Sequence, residues 1–356
     1  MACLGTVFSL TGLIETRYAN LCRSCGLESH LVALDDDTTM HCWAPRERFA
    51  DDPRPALQAG DAPVAAEGGA GGLLGEGGER LRVHSQTLKT VATYKKKSKG
   101  GGFPLVLIHG FGATALFQWP EQVKELSSVF DLYVPDLLFF GKSTTRRPER
   151  SETFQAECLL KLLTKLSVGQ FNIVGLSYGG FVAFRMAALE PDRVKKVVVT
   201  DCPGAVMTKD DYQELLKRCG VKNITDLLLP KRPKDLRRLL ELAYHRPRWL
   251  PVCVLMDAYH ALFTDMVDEK RELLQAVMTY LDDPPVKDLE GLSQQFLIVW
   301  GERDVVFPVE LATRLAQSLG STRARIAILE DSGHVPQLEH PKEYNQLLKN
   351  FLLAQE

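Results

Sequence analysis

Short apolar runs alternate with segments of helical spacing along most of this chain. Six runs have the length and the bounding turn residues of buried strands, and they lie at residues 104–108, 131–134, 171–174, 194–200, 296–300 and 325–329. Helical patterns separate them, and a final amphipathic helix is predicted at residues 342–353. This alternation predicts an α/β fold in which helices cover both faces of a mostly parallel sheet.

The alternation stops between residues 205 and 285, where only helical patterns occur. This block contains one apolar stripe at helical spacing, formed by Val252, Leu255, Met256, Tyr259, Phe263 and Met266. A helical block inserted between two strands of an open sheet has to lie over the carboxyl ends of the strands. We therefore predict a helical cap over a core formed by residues 103–204 and 286–356.

Residues 1–43 are predicted to form an N-terminal helix and the first β-hairpin. Apolar residues recur at helical spacing as far as Leu21, and the hairpin is predicted at residues 31–43. The helix has two interpretations: it packs on the body of the protein, or it lies on a membrane surface. The scarcity of basic residues on its polar face favours packing, and membrane contact stays open.

Residues 44–102 have a different composition, in which Pro, Ala, Gly and charged residues dominate. Such a segment buries too little apolar surface to offset the conformational entropy that it would lose on ordering. We predict a low-complexity insertion that is mostly disordered, with one short strand near residues 91–94.

The overall composition argues against several functional classes. The 356 residues carry a formal charge of −2, which gives no general attraction for nucleic acid. Eight cysteines are scattered without a framework spacing, and no apolar run approaches the roughly 20 residues that span a bilayer. We therefore expect reduced thiols and a cytoplasmic protein.

Cys22 and Cys25, with His41 and Cys42 farther along the chain, raise the question of a zinc site. Structural zinc needs four converging ligands. His41 and Cys42 are adjacent in a predicted strand, so their side chains point to opposite faces of the sheet. We predict neither a metal site nor a cofactor.

The clearest chemical motif is Gly-Leu-Ser-Tyr-Gly at residues 175–179. It follows a predicted strand and precedes a helical pattern, which is the context of a nucleophile elbow. A tight turn of this kind holds the serine in a strained conformation with its hydroxyl raised above the sheet. Ser177 is therefore the predicted nucleophile.

Other residues that follow predicted strands supply the partners of this serine. His334 is the candidate base, and Asp304 is the candidate acid that orients it. Asp201 is the rival acid because it also follows a strand, but Asp304 is favoured because its strand directly precedes the histidine loop. The backbone N–H groups of Phe111 and Tyr178 are predicted to form the oxyanion hole.

Four motifs together resemble those of the α/β-hydrolase superfamily. They are His-Gly-Phe-Gly at residues 109–112, Gly-Leu-Ser-Tyr-Gly-Gly at 175–180, Gly-Glu-Arg-Asp at 301–304 and Ser-Gly-His at 332–334. Their order along the chain, serine, then aspartate, then histidine, is the order of that family. The resemblance covers roughly residues 30–45 and 103–353. Residues 133–141 are most similar to a plant branch described as monoacylglycerol-lipase-like.

The resemblance and the predicted nucleophile imply a hydrolase that cleaves a carboxylic ester through an acyl-enzyme. The candidate pocket residues are apolar and mostly aromatic, which favours a small lipophilic substrate, either an aryl or benzyl ester or a monoacylglycerol. These residues are Phe111, Phe139, Phe140, Tyr244, Trp249, Met256, Tyr259 and Phe263. The alternatives on the same scaffold are a ligand receptor with slow turnover, a lyase, an acyltransferase and a carbon–carbon hydrolase. A serine nucleophile argues against epoxide hydrolases and haloalkane dehalogenases, which attack with an aspartate.

Overall fold

The structure is a computed structural model that describes residues 9–49, 80–83, 101–280 and 289–354. Ten strands of this part of the chain form one sheet: β1 (Leu27–Ala33), β2 (Thr38–Pro45), β3 (Arg80–Val83), β4 (Phe103–Ile108), β5 (Phe130–Pro135), β6 (Thr144–Thr145), β7 (Phe171–Leu176), β8 (Val194–Thr200), β9 (Gln295–Gly301) and β10 (Ala324–Leu329). Across the sheet the order is β1-β2-β5-β4-β7-β8-β9-β10-β3, and β6 pairs with β2.

Most neighbouring strands are parallel. The pairs of β2 with β1, β5 and β6 are antiparallel, and every pair from β5 across the sheet to β3 is parallel. Helices cover both faces of these strands, which explains the continuous apolar runs in their sequences. The predicted α/β fold with a mostly parallel sheet is confirmed. Because parallel strands end at the same edge, the loops that follow β4, β7, β8, β9 and β10 meet there.

Thirteen α-helices surround the sheet in the described residues: α1 (Leu10–Ser24), α2 (Ala115–Gln118), α3 (Pro120–Leu126), α4 (Glu152–Lys165), α5 (Tyr178–Leu189), α6 (Lys209–Cys219), α7 (Ile224–Leu228), α8 (Pro233–Ala243), α9 (Val252–Phe263), α10 (Val267–Tyr280), α11 (Glu310–Leu319), α12 (Pro336–Glu339) and α13 (Pro341–Leu352). On one face, α4, α5 and α11 form an apolar layer in which Phe184 stacks on Phe296 at 5.6 Å. On the other face, α3 and α13 cover the sheet, and Trp119 and Tyr344 are fully buried.

Helices α6 to α10 occupy the described residues between β8 and β9. The carbonyl oxygen of Ala243, at the end of α8, accepts the backbone N–H of His334 at 2.8 Å. Phe263, at the end of α9, lies against Gly112, where an added Cβ would be 3.8 Å from its ring. The helical block therefore contacts two loops at the carboxyl edge of the sheet. That it acts as a cap over this edge stays a prediction.

Helix α1 packs on the body of the protein, against α9, α3 and α2. Tyr18 meets Phe117 edge to face at 5.9 Å. The N–H of Thr11, in the first turn of α1, donates to Asp257 Oδ2 in α9 at 2.5 Å. The helix thus joins the helical block to the core, which agrees with the first of its two predicted interpretations.

The hairpin and the insertion differ from the sequence prediction at their boundaries. Leu27 pairs with Pro45, so the hairpin begins before the predicted residue 31 and continues past residue 43. Strand β3, from within the predicted insertion, pairs with β10 at the far edge of the sheet. Four residues that alternate Arg with Leu or Val are too short a pattern to identify in a Gly-rich segment. The strand predicted near residues 91–94 lies outside the described residues.

Candidate active site

Ser177 lies in the tight turn between β7 and α5, at the carboxyl edge of the sheet. Its φ is 50° and its ψ is −116°, a conformation that a serine rarely adopts. The N–H of Ser177 donates to the carbonyl oxygen of Thr200 at 2.8 Å, and its own carbonyl oxygen accepts the N–H of Gly180 at 2.8 Å. This strained strand–turn–helix has the geometry of a nucleophile elbow.

Two glycines permit the close packing around this turn. A Cβ on Gly175 would lie 2.5 Å from the carbonyl oxygen of Gly179. A Cβ on Gly179 would lie 2.5 Å from the carbonyl oxygens of Ile108 and His109. Contacts this short do not occur, so both positions require glycine. Because α5 touches the end of β4 at Gly179, the loop after β4 lies beside Ser177.

Ser177, His334 and Asp304 form one chain of hydrogen bonds. His334 Nε2 lies 2.9 Å from Ser177 Oγ, and His334 Nδ1 lies 2.8 Å from Asp304 Oδ2. An ionised carboxylate can only accept, so Nδ1 carries the ring proton and Nε2 accepts from the serine hydroxyl. This is the tautomer that a general base requires.

Backbone contacts fix the acid and the base of this chain. Asp304 Oδ1 accepts the N–H of Val306 at 2.7 Å and the N–H of Phe307 at 3.1 Å. The Asp304 side chain is fully buried. The loop that carries His334 is tied to α8 through the carbonyl oxygen of Ala243. The two side chains are therefore positioned before any substrate binds.

Asp201, the rival acid, lies next to Asp304 at the end of β8. It is completely buried, and its Oδ1 accepts the N–H of Gly301 at 2.9 Å. The imidazole of His334 hydrogen-bonds to Asp304 and not to Asp201. The geometry thus favours Asp304 as the partner of the histidine.

The same three residues are also the one group that offers several metal-ligand atoms close together in the described part of the chain. One atom each from Asp201, Asp304 and His334 lies within 4.8 Å of the others. However, Asp304 and His334 already hydrogen-bond to each other, between Oδ2 and Nδ1. Burial raises the pKa of Asp201 well above its usual range, which opposes the ionised form that a metal requires. We therefore assign no metal to this cluster.

The loop after β4 brings the predicted oxyanion-hole residues to the same turn. A Cβ on Gly110 would lie 3.2 Å from the Cβ of Ser177. Gln118 fixes this loop, because its Oε1 accepts the N–H of Gly110 at 2.9 Å and its Nε2 donates to the Gly110 carbonyl oxygen at 3.2 Å. Tyr178 is the first residue of α5, where a backbone N–H has no partner within its own helix. The rings of Phe111 and Tyr178 meet at 6.0 Å, so both residues flank the serine.

Two of the predicted pocket residues lie close to the elbow. The ring of Phe140 is 5.1 Å from that of Phe111, and both rings meet edge to face. Phe263 reaches the loop after β4 at Gly112. Phe111, Phe140 and Phe263 thus lie on or against the loop after β4, and we refer to these three side chains as the aromatic wall.

Four of the remaining pocket predictions have other surroundings. Trp249 and Met256 are 75% and 46% exposed, so they lie at the surface of the helical block. Phe139 is fully buried in the core, 4.5 Å below the Arg150 guanidinium. Tyr259 donates its hydroxyl to the carbonyl oxygen of Lys231 at 2.9 Å and so links two parts of the helical block. That these four residues line a substrate pocket stays a prediction.

Lys270 is a charged residue near the aromatic wall that the sequence analysis missed. It is 4% exposed, and its Nζ lies 5.2 Å from the centre of the Phe140 ring. Its Nζ also donates to the carbonyl oxygen of Asp265 at 2.9 Å. Burial lowers the pKa of Lys270. The sequence analysis missed Lys270 because it is one of several charged residues in α10, and nothing in the neighbouring sequence indicates that this one is buried.

The chain belongs to the α/β hydrolase family, whose model, described as "alpha/beta hydrolase fold", matches residues 104–341. It is 24% identical over 263 residues to the 2-hydroxymuconate semialdehyde hydrolase of Pseudomonas sp. (strain CF600), covering 71% of this chain and 88% of the relative. It is 28% identical over 288 residues to monoacylglycerol lipase ABHD6 of Bos taurus, covering 73% and 79%.

A solved structure of a putative lipase from Acinetobacter baumannii AYE shares the fold of this chain. The two match with a TM-score of 0.70 at 20% sequence identity, and the match covers 98% of each chain. At this identity the likeness shows the fold alone. Family membership and the two sequence relatives support a hydrolase.

Proposed function

We propose that the protein is a serine hydrolase that cleaves a carboxylic ester through an acyl-enzyme. The hydrogen-bonded chain from Ser177 through His334 to Asp304 carries this proposal. As Ser177 Oγ attacks the ester carbonyl carbon, His334 Nε2 takes its proton and then passes it to the leaving alcohol. Water, deprotonated by His334, then attacks the acyl-enzyme and releases the acid. Asp304 stabilises the imidazolium that forms in both steps.

The oxyanion hole in this proposal consists of the backbone N–H groups of Phe111 and Tyr178. Support comes from the position of both residues beside Ser177 and from the double hydrogen bond that Gln118 makes to the loop. Donors held rigidly at this place stabilise the negative charge that develops on the carbonyl oxygen, without reorganising during the reaction.

The substrate that we propose is a small lipophilic ester, either an aryl or benzyl ester or a monoacylglycerol. Phe111, Phe140 and Phe263 form an aromatic wall beside the nucleophile, and such a wall favours apolar groups. One relative is named a monoacylglycerol lipase. We also propose that the chain belongs to the plant monoacylglycerol-lipase-like branch, which the sequence of residues 133–141 resembles, and that helices α6 to α10 cap the site.

Turnover of an ester panel tests this proposal. The panel contains phenyl and benzyl acetate, a medium-chain monoacylglycerol and, as a matched control, a phenyl ester whose acyl group ends in a carboxylate. We expect kcat/KM for the neutral esters to exceed that of the charged ester by about 10-fold or more. The reason is that an apolar wall offers no hydrogen bonds to replace those that a carboxylate loses when it leaves water. If wild-type protein hydrolyses none of the neutral esters, the proposed activity is wrong.

Two observations favour carbon–carbon bond hydrolysis as a second candidate function. One relative is named for 2-hydroxymuconate semialdehyde, a substrate of a different class from an ester. Lys270, buried beside Phe140, would offer a positive charge to a substrate carboxylate. Consumption of 2-hydroxymuconate semialdehyde, without turnover of the ester panel, would replace our first proposal by this one.

We also propose that α1 and α9 form a surface that contacts membranes. The two helices pack together, and exposed apolar side chains lie on or next to them: Leu10, Leu13, Trp249, Val252 and Met256. The Arg237 guanidinium lies 6.0 Å from the Trp249 ring, and paired aromatic and basic groups are typical of interfacial contacts. No helix in the part of the chain that the structure describes is long and apolar enough to cross a membrane. We therefore propose a peripheral contact.

Cosedimentation with anionic phospholipid vesicles tests the membrane proposal. Removing apolar contact area and adding negative charge should weaken binding, so we expect the double variant Trp249→Glu, Met256→Glu to lower the partition coefficient about 10-fold or more. Leu31→Glu is the matched control, because Leu31 is also exposed, at 61%, but lies on β1. If wild-type protein stays in the supernatant, or the control loses as much binding, this surface does not dock on membranes.

A further inference from the structure

The triad alone does not account for the buried carboxyl group beside it. Asp201 accepts one hydrogen bond, from the N–H of Gly301 to Oδ1. Its Oδ2 is also buried and has no hydrogen-bond partner among the described residues. One carboxyl oxygen of Asp201 lies within 4.8 Å of one of Asp304. Two buried carboxyl groups this close disfavour each other's ionised form, so we infer that the pair holds one proton.

The hydrogen bonds around the two groups indicate which of them holds that proton. Asp304 receives three N–H donors: the backbone groups of Val306 and Phe307, and the ring of His334. Asp201 receives only the N–H of Gly301. Because N–H donors stabilise the ionised form, the negative charge belongs on Asp304 and the proton on Asp201. An O–H at Oδ2 would also give this atom the partner that it otherwise lacks, the Asp304 carboxylate.

We propose that Asp201 is a neutral carboxylic acid whose O–H donates to the Asp304 carboxylate and holds it in place for His334. Asp201 touches neither the substrate nor the reacting atoms, so it is a positioning residue. The kinetic part of this inference rests on the proposed ester hydrolase. Its consequence for stability does not, and the two parts can be tested separately.

Electrostatics agrees with this assignment. Burial, together with the neighbouring Asp304 carboxylate, raises the pKa of Asp201 well above its usual range. Other titratable groups also face Asp201 from the elements packed around it, and they are His334, Glu339 of α12, Tyr344 of α13 and Cys202. These groups are present in both proteins, so a comparison of Asp201→Asn with wild type reports the proton held by the Asp201–Asp304 pair.

The first test is the pH dependence of thermal unfolding in wild type and Asp201→Asn. An unfolded aspartate ionises near pH 4, whereas a neutral Asp201 keeps its proton in the folded state, so wild-type stability falls relative to the variant as the pH rises above about 4. We expect the Tm of Asp201→Asn minus that of wild type to rise by several degrees between pH 4 and pH 8. A difference that stays constant or falls over this range shows that Asp201 is ionised, and overturns the proposal.

The second test is kinetic and uses the conservative variant as the rescue. An amide can donate as the acid does, so Asp201→Asn should keep kcat within about threefold of wild type. Asp201→Leu, which has no donor, should lower kcat about 10- to 100-fold with little change in KM. An inactive Asp201→Asn, or a fully active Asp201→Leu, overturns the positioning role.

The failure of the proposed function can be told apart from the failure of this inference. If wild type hydrolyses no ester, the kinetic test falls with the proposed function, and the pH dependence of Tm still decides whether the Asp201–Asp304 pair holds a proton in the folded state. If Asp201→Leu does not fold, kcat of Asp201→Asn together with its pH-dependent Tm decides the proposal. An active Asp201→Asn with a rising Tm difference supports it, and any other combination contradicts it.

Discussion

Replacing Ser177 with alanine is expected to lower kcat for ester hydrolysis by about 10⁶-fold. The nucleophile and its base act as a unit, so losing either one removes nearly all of the catalysis that the triad contributes. The small remaining rate would come from substrate binding and from the oxyanion hole. Steady-state hydrolysis of the best ester in the panel measures this effect, with thermal unfolding as a check that the variant is folded.

Ser128→Ala is the matched control for this prediction. Ser128 is exposed, in the loop after α3, and its hydroxyl donates only to the carbonyl oxygen of Glu125. We expect this variant to hydrolyse the ester at the wild-type rate. If Ser177→Ala keeps more than about a hundredth of wild-type kcat, water is attacking the substrate without an acyl-enzyme, and the proposed mechanism is wrong.

Replacing Asp304 with asparagine is expected to lower kcat by about 10⁴-fold. Asp304 Oδ1 accepts the N–H groups of Val306 and Phe307, so an asparagine would keep its oxygen there and turn its NH₂ group towards His334. His334 Nδ1 would then have to accept, and the ring proton would move to Nε2. A protonated Nε2 cannot take the proton of Ser177.

Asp331→Asn is the matched control, because Asp331 is close to the histidine loop but exposed. Its side chain is 54% exposed and pairs with Arg246 at the surface, where an ion pair contributes little. We expect kcat of this variant to stay within about threefold of wild type. The acid assignment would be refuted by an Asp304→Asn variant that turns over normally beside an inactive Asp201→Asn variant.

The elbow could be predicted from sequence because its geometry depends on adjacent residues. Gly175 is required by a contact inside the strand–turn–helix unit, with the carbonyl oxygen of Gly179, whereas Gly179 is required by the carbonyl oxygens at the end of β4. Both glycines nevertheless stand in the short motif that carries Ser177, where the sequence displays them. The parallel sheet could be predicted for a similar reason, because each buried strand appears as one continuous apolar run. Both features follow from local sequence.

The partner of the histidine could be narrowed to two residues but not decided from sequence. Parallel strands deliver Asp201 and Asp304 to the same edge of the sheet, and both become buried there. Which carboxylate reaches the ring depends on the course of the loop after β9, where the N–H groups of Val306 and Phe307 orient Asp304. The shared environment of the two carboxyl groups also depends on contacts between distant residues.

The covered part of the apolar stripe of α9 could not be decided from sequence, because the helix is apolar on more than one side. Leu255 and Phe263 are buried, whereas Val252 and Met256 are exposed on the same apparent stripe. Periodicity alone shows that a helix has an apolar stripe, but the packing of α8 and α1 against α9 decides which part of it is covered.

The most direct test of the account is the covalent modification of Ser177 itself. Wild-type protein treated with a fluorophosphonate should gain one adduct per chain in its intact mass, and peptide mapping should place this adduct on Ser177. His334→Ala should react far more slowly, because the hydroxyl loses its base, and Ser177→Ala should gain no adduct. If Ser177→Ala acquires the same adduct at the wild-type rate, the nucleophile is another residue, and the proposed serine hydrolase mechanism is contradicted.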